Sequence, residues 1–168
     1  MGKGGVVLGI IGILLGAGGI GYGFFLWINQ NNLQNSVGSQ KIWHSSYNSI
    51  YTPPELEYVT IPNMSILIEL NSPVSLHLLF TSSAKIINDS GFSDILFYFM
   101  LNDVRLTSPF TRVGTYQGVA EYNYYSVVLQ KFYEKITPGM YNFTIQVISE
   151  YGANFLRESE FFIQSFPI

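Results

Sequence analysis

Seven glycines, Gly2, Gly5, Gly9, Gly12, Gly16, Gly19 and Gly23, recur in an unbroken three-four rhythm at the start of the chain. From residue 6 to residue 28 the rhythm runs through an apolar stretch without a charge. Twenty-three residues at about 1.5 Å each span roughly 34 Å, enough to cross a hydrocarbon core of about 30 Å. In water each glycine would weaken a helix by roughly 1 kcal/mol relative to alanine. In lipid an unpaired backbone group costs more than that, so the solvent imposes the helix. The sequence therefore predicts a transmembrane helix within residues 1–28. Gly5, Gly9, Gly12, Gly16, Gly19 and Gly23 form its packing face, because small residues four apart let two helix backbones approach closely. No small-x-small cleavage site follows, so the segment reads as a retained anchor.

Lys3 is the only basic residue before the span, and the next is Lys41. By the positive-inside rule the amino terminus stays in the cytoplasm and the remainder is exported from the plasma membrane to the extracellular side. Tyr22, Phe24, Phe25 and Trp27 suit the outer aromatic belt. Acceptor triplets for N-glycosylation begin at Asn63, Asn88 and Asn142, in keeping with export. Residues 29–41, which open NQNNLQNSVGSQ, read as a polar linker or stalk. Residues 42–168 then form one exported domain. It has no cysteine and hence no disulfide, and at this length a hydrophobic core suffices without one.

Past the linker, short apolar runs alternate with turn residues. An irregular first strand is expected over 42–52, followed by strands at 56–61, 65–70, 74–80, 95–101, 104–106, 122–132, 140–148 and 157–166. Val74, Leu76, Leu78 and Phe80 share one face, with Ser75 and His77 on the other. Asn102-Asp103 reads as the tip of a hairpin. Tyr141, Phe143, Ile145 and Val147 should point inward, with Asn142, Thr144 and Gln146 outward. Seven to nine such strands make an all-β antiparallel sandwich.

Four segments, LFYFMLNDVRL, YNYYSVVLQKF, ITPGMYNFTIQV and FFIQSF, resemble jelly-roll domains of the tumour-necrosis-factor and complement-globular-head type. The resemblance implies a jelly-roll-like sandwich over residues 42–168 that self-associates, with a trimer favoured, and Tyr122, Tyr124 and Tyr125 near the oligomer interface. A second resemblance is to archaeal type IV pilins and archaellins, which also join a short basic leader, an apolar helix and a β-sandwich. It implies a structural subunit of an extracellular filament, with Lys3-Gly4 as a leader-peptidase site.

No catalytic constellation emerges, and the chain reads as non-enzymatic. The lack of cysteine excludes thiol catalysis and thiolate metal sites. His44 and His77 lie far apart in sequence, and no G-x-S-x-G elbow or phosphate-cradling loop accompanies them. Asp89, Ser90 and Asp94 offer oxygen ligands of the kind calcium takes, but their spacing suits an ordinary turn. No metal or cofactor is therefore expected. Seven basic against eleven acidic residues follow the anchor, a net −4, which argues against nucleic acid as a partner. The expected partners are membrane lipid, further copies of the chain and an extracellular ligand of unknown identity. The expected role is adhesion, recognition or surface display by a homo-oligomer, with the filament subunit as the alternative.

Overall fold

The alternating segments form eight strands in a computed structural model that describes residues 40–87, 92–116 and 123–168. The expected membrane helix over 1–28, its glycine stripe and residues 29–39 of the linker lie outside the described residues, among which no helix is long and apolar enough to cross a membrane. The strands are β1 (Ile42–Tyr47), β2 (Val59–Leu70), β3 (Val74–Ile86), β4 (Phe92–Leu101), β5 (Val104–Tyr116), β6 (Asn123–Ile136), β7 (Gly139–Ser149) and β8 (Phe155–Pro167). Two four-stranded antiparallel sheets result: sheet A in the order β1-β8-β3-β6, and sheet B in the order β2-β7-β4-β5. The pairing is nested, β1 with β8, β2 with β7, β3 with β6 and β4 with β5, as if one long antiparallel ribbon had been rolled up.

Alternation fills the space between the sheets. Leu76, Leu78, Phe80, Ala84 and Ile86 of β3 face Phe97 and Phe99 of β4 and Phe143, Ile145 and Val147 of β7, all fully buried. The Phe80 and Phe97 rings lie 5.7 Å apart, and those of Phe99 and Phe161 5.8 Å apart. Tyr141, expected inward with this set, is half-buried. Thr144 is on the opposite face as expected, yet buried, because β7 is an interior strand and Ser65 and Met100 flank it. Tyr133 also packs on the core, where its hydroxyl is buried without a hydrogen-bond partner. Burial pushes that phenol above its ordinary value. Tyr133→Phe should therefore leave the melting temperature unchanged or raise stability by up to about 1 kcal/mol, since it removes only an unpaired polar group.

Three departures from simple alternation shape the strands. Pro62-Asn63 does not separate two strands. It forms a bulge inside β2, with Asn63 at φ 60 and a register shift between Thr60 and Ser65. β2 is an edge strand of sheet B, where a residue lacking an N–H is tolerated. The second departure is in β8, where Leu156, Phe161 and Ile163 are all buried although their spacing breaks the period of two. An extra residue restores it: Glu158 takes φ 48, and the register with β3 shifts between Thr81 and Ser83. Ser159 then turns inward, and its hydroxyl bonds that of Ser82 at 2.9 Å. Glu158 and Glu160 lie on either side of the inward Ser159 at this bulge. The third departure lies in β5, which continues past the expected 104–106 to Tyr116, with a wide register shift opposite Tyr98–Met100.

The expected hairpin at Asn102-Asp103 is present. Both residues have positive φ, 47° and 64°, the conformation that a two-residue turn needs to match strand twist. At one side of the sandwich the Ser45 hydroxyl donates to the Asn63 carbonyl, joining β1 to β2. At the other, Tyr125 donates to the Gly114 carbonyl at 2.9 Å and Thr111 to the Val128 carbonyl at 2.8 Å, joining β6 to β5. Lys41, the last residue of the expected linker, already exchanges bonds with Ser165.

Candidate functional site

The side chains that do not enter the core form the two outer faces, and that of sheet A carries an uncharged central band in which apolar side chains alternate with Gln and His. Its register builds one row of Ile42, Gln164, His77 and Phe132 and the next of His44, Phe162, Leu79 and Gln130. Neither row contains a carboxylate, lysine or arginine. The flanking row holds Ser46, Glu160, Thr81 and Val128, and on the other side Phe166 lies opposite Ser75. Ile42, Val128 and Phe132 are each more than half exposed. The His44 ring stacks on Phe162 with centroids 4.3 Å apart. Phe132 and Phe166, 6.4 Å apart, join His77, Gln130 and Lys131 around an open groove of about 440 Å³. A solvated sheet face is ordinarily polar, and a contiguous apolar patch marks a contact surface.

This face also gathers the two histidines of the chain. They stand on β1 and β3 with only β8 between them. Lys85 and Arg157 lie further along the sheet, over the Tyr124 and Phe155 rings.

Sheet B carries a different cluster. The Arg105 guanidinium lies 4.0 Å from the Tyr58 ring centroid and 5.2 Å from that of Tyr98, which stacks on Phe110 at 5.8 Å. Burial, and then the neighbouring Tyr58, push the Tyr98 phenol above its ordinary value. Beside it Asp94 is fully buried on the outer side of β4. Arg112 covers it, pairing Nε with Oδ2, while Oδ1 has no hydrogen-bond partner. Gly114, directly across from Asp94, leaves room for this carboxylate. A Cβ there would come within 2.6 Å of the Asp94 Cβ. Asp94 is thus bound to a cation of the protein itself, while Asp89 and Ser90 lie outside the described residues. Among the described residues no three His, Cys, Asp or Glu side chains are grouped to hold a metal ion.

The expected site residues fall in several places. The glycine face, Asn88 and Tyr122 lie outside the described residues. Asn63 is exposed at the β2 bulge. Asn142 is half-buried on β7, where its Oδ1 accepts from the Ser65 hydroxyl at 2.9 Å. Tyr124 stands exposed on the outer face of sheet A, whereas Tyr125 turns inward and clasps β5. Phe132, Phe162, Phe166 and Leu79 were not expected at a site. A signal for them exists in Phe161-Phe162-Ile163 and Leu78-Leu79-Phe80, where apolar residues occupy both faces of one strand.

No family model matches the chain, and no curated protein matches it. Among solved structures it is similar to dimeric latent PorU from Porphyromonas gingivalis, at 10% identity over 76% of this chain and 13% of that one, with a TM-score of 0.42. It is also similar to the VP2 subviral particle of infectious bursal disease virus, at 9% identity over 76% of this chain and 33% of that one, with a TM-score of 0.42. The Gx strain of the same virus gives 10% identity, 76% and 32% coverage, and a TM-score of 0.41. The chain spans a third or less of the length of these three chains.

Proposed function

We propose that the chain is a membrane-anchored surface protein whose exported sandwich serves adhesion, recognition or display as a homo-oligomer, without catalysis of its own. The observation that carries this reading is the pair of uncharged central rows on the outer face of sheet A, with Ile42, Phe132, Phe162 and Leu79 at its surface. The nested strand order supports reading the sandwich as a jelly roll, an eight-stranded double sheet. The anchor rests on the glycine-striped apolar segment and its orientation on Lys3.

Because the chain has no cysteine, one introduced thiol reports location without ambiguity. Thr107, exposed on β5, is a suitable position. In intact cells that make the chain, a membrane-impermeant maleimide should label Thr107→Cys to the same extent as after lysis. Labelling that appears only after lysis would overturn the surface assignment. Open-ended fibres in the same preparation would replace the closed oligomer by the pilin-like alternative.

A further inference from the structure

Resting on the homo-oligomer reading above, we infer that the outer face of sheet A docks on the same face of a second copy of this chain, and that His44 and His77 make the docking pH-dependent. The patch comprises the two uncharged rows, the row of Val128 and the end marked by Phe166. Four strands about 4.8 Å apart, crossed by four rows about 6.8 Å apart, cover roughly 500 Å² per copy, or about 1,000 Å² for a pair. That meets the lower bound for a specific protein interface and lies well short of an obligate one. Sheets stack face to face about 10 Å apart when their side chains interdigitate. Here the exposed Ile42 and the stacked His44–Phe162 pair supply projections, and the groove between Phe132 and Phe166 supplies a recess. A copy of the same face therefore brings both parts of the fit, and its central rows set no charge against another.

The pH dependence follows from what surrounds the histidines. Around His44, β1 contributes only Lys41 at its start, and β8 contributes Glu160 one row away, diagonal to the imidazole. Around His77, β8 presents Gln164, and β6 presents Phe132 with Lys131 in the groove and Glu134 beyond it. On β3 itself the nearest charge is Lys85. No carboxylate lies directly opposite either ring, so a second copy would bury two imidazoles in a contact whose central rows hold no charge to balance their protonated form. Burial disfavours the charged form. Protonation of either ring would place a positive charge inside the contact, so a contact that needs both rings neutral weakens as pH falls. With two histidines in each copy, the docked population present at pH 7.5 should be lost at pH 5.5. A small interface is one that such a change can open.

The test uses the full chain in mild detergent with a nitroxide on Ser126→Cys, which is exposed on β6 beyond the patch. At pH 7.5 the spin labels of two chains should give a narrow distance distribution in the low tens of ångströms, and at pH 5.5 that population should vanish. His44→Gln with His77→Gln should preserve it at both pH values. Leu79→Lys should abolish it at both, with the far-ultraviolet circular dichroism unchanged. A narrow distance that survives Leu79→Lys would overturn the docking face, and one that persists at pH 5.5 in the parent would overturn the histidine switch. Absence of the distance at pH 7.5 also overturns the proposal. None of these readings depends on whether Thr107→Cys is labelled on cells, so export and docking fail separately.

Discussion

Phe143→Ala should lower the unfolding free energy by about 3–5 kcal/mol, the usual loss for a large aromatic removed from a closed core. Phe143 is fully buried on β7, which runs between β2 and β4, with ring centroids of Tyr133 and Tyr141 each 6.3 Å away. Strands on either side are held by ladder bonds, so the surroundings have little freedom to collapse into the cavity. For a domain of this size the loss corresponds to a drop in melting temperature of roughly 10–25 °C. The neighbouring Thr144→Ala should cost below about 1 kcal/mol, because its side chain lies on the other face of the strand and a small residue replaces a small one. Urea titrations of both variants measure the difference directly. Equal losses would mean that the faces of β7 are assigned the wrong way round.

Arg112→Ala should cost about 2–4 kcal/mol, more than an exposed arginine usually contributes. Removing one partner of a buried ion pair typically costs 3–5 kcal/mol, because the remaining charge is stranded. The lower range applies here because Arg112 is itself 49% exposed, so water can partly replace it. Asp94 has no such recourse: its side chain is fully buried, and Oδ1 already lacks a partner. Glu150 lies 4.0 Å from the Arg112 guanidinium and adds only a rim contact. The double variant Asp94→Asn, Arg112→Ala should recover a large part of the loss, since the stranded charge is then gone. A loss below about 0.5 kcal/mol in Arg112→Ala alone would show that Asp94 is satisfied by another group.

The sequence makes some of this architecture plain and conceals other parts for identifiable reasons. Alternation in β7 from Tyr141 to Val147 and along Leu76, Leu78 and Phe80 marks the core, because every second residue in these stretches is apolar. Asn102-Asp103 marks a turn, because those residue types tolerate left-handed backbone. Pro62-Asn63 carries the same kind of signal but sits in an edge strand, where the chain absorbs it as a bulge. Pro109 and Gly114 likewise hide the length of β5. In one case Gly114 faces Asp94 so closely that only glycine fits, which is a tertiary requirement invisible in local sequence. The outer face of sheet A escapes detection because it assembles from β1, β8, β3 and β6, and no short window contains it. His44 and His77 are 33 positions apart in the chain but are separated by a single strand in the sheet. Their proximity follows from topology, which the spacing of strands and turns does not specify.

The pairing of β1 with β8 has a mechanical consequence. Ile42 lies against Gln164, so the start of the described domain and its carboxy terminus leave the sandwich at the same end. Tension between those two points pulls the ladder open one pair at a time, as in peeling tape, and each bond bears the whole force in turn. Tension between residue 40 and the loops at the opposite end runs along β1 and loads its six pairs with β8 together, from Ile42↔Gln164 to Tyr47↔Ser159. The same strand pair is therefore a weak seam under one direction of pull and a strong one under the other. For a domain tethered at residue 40, the position at which a partner grips decides how much force the domain withstands.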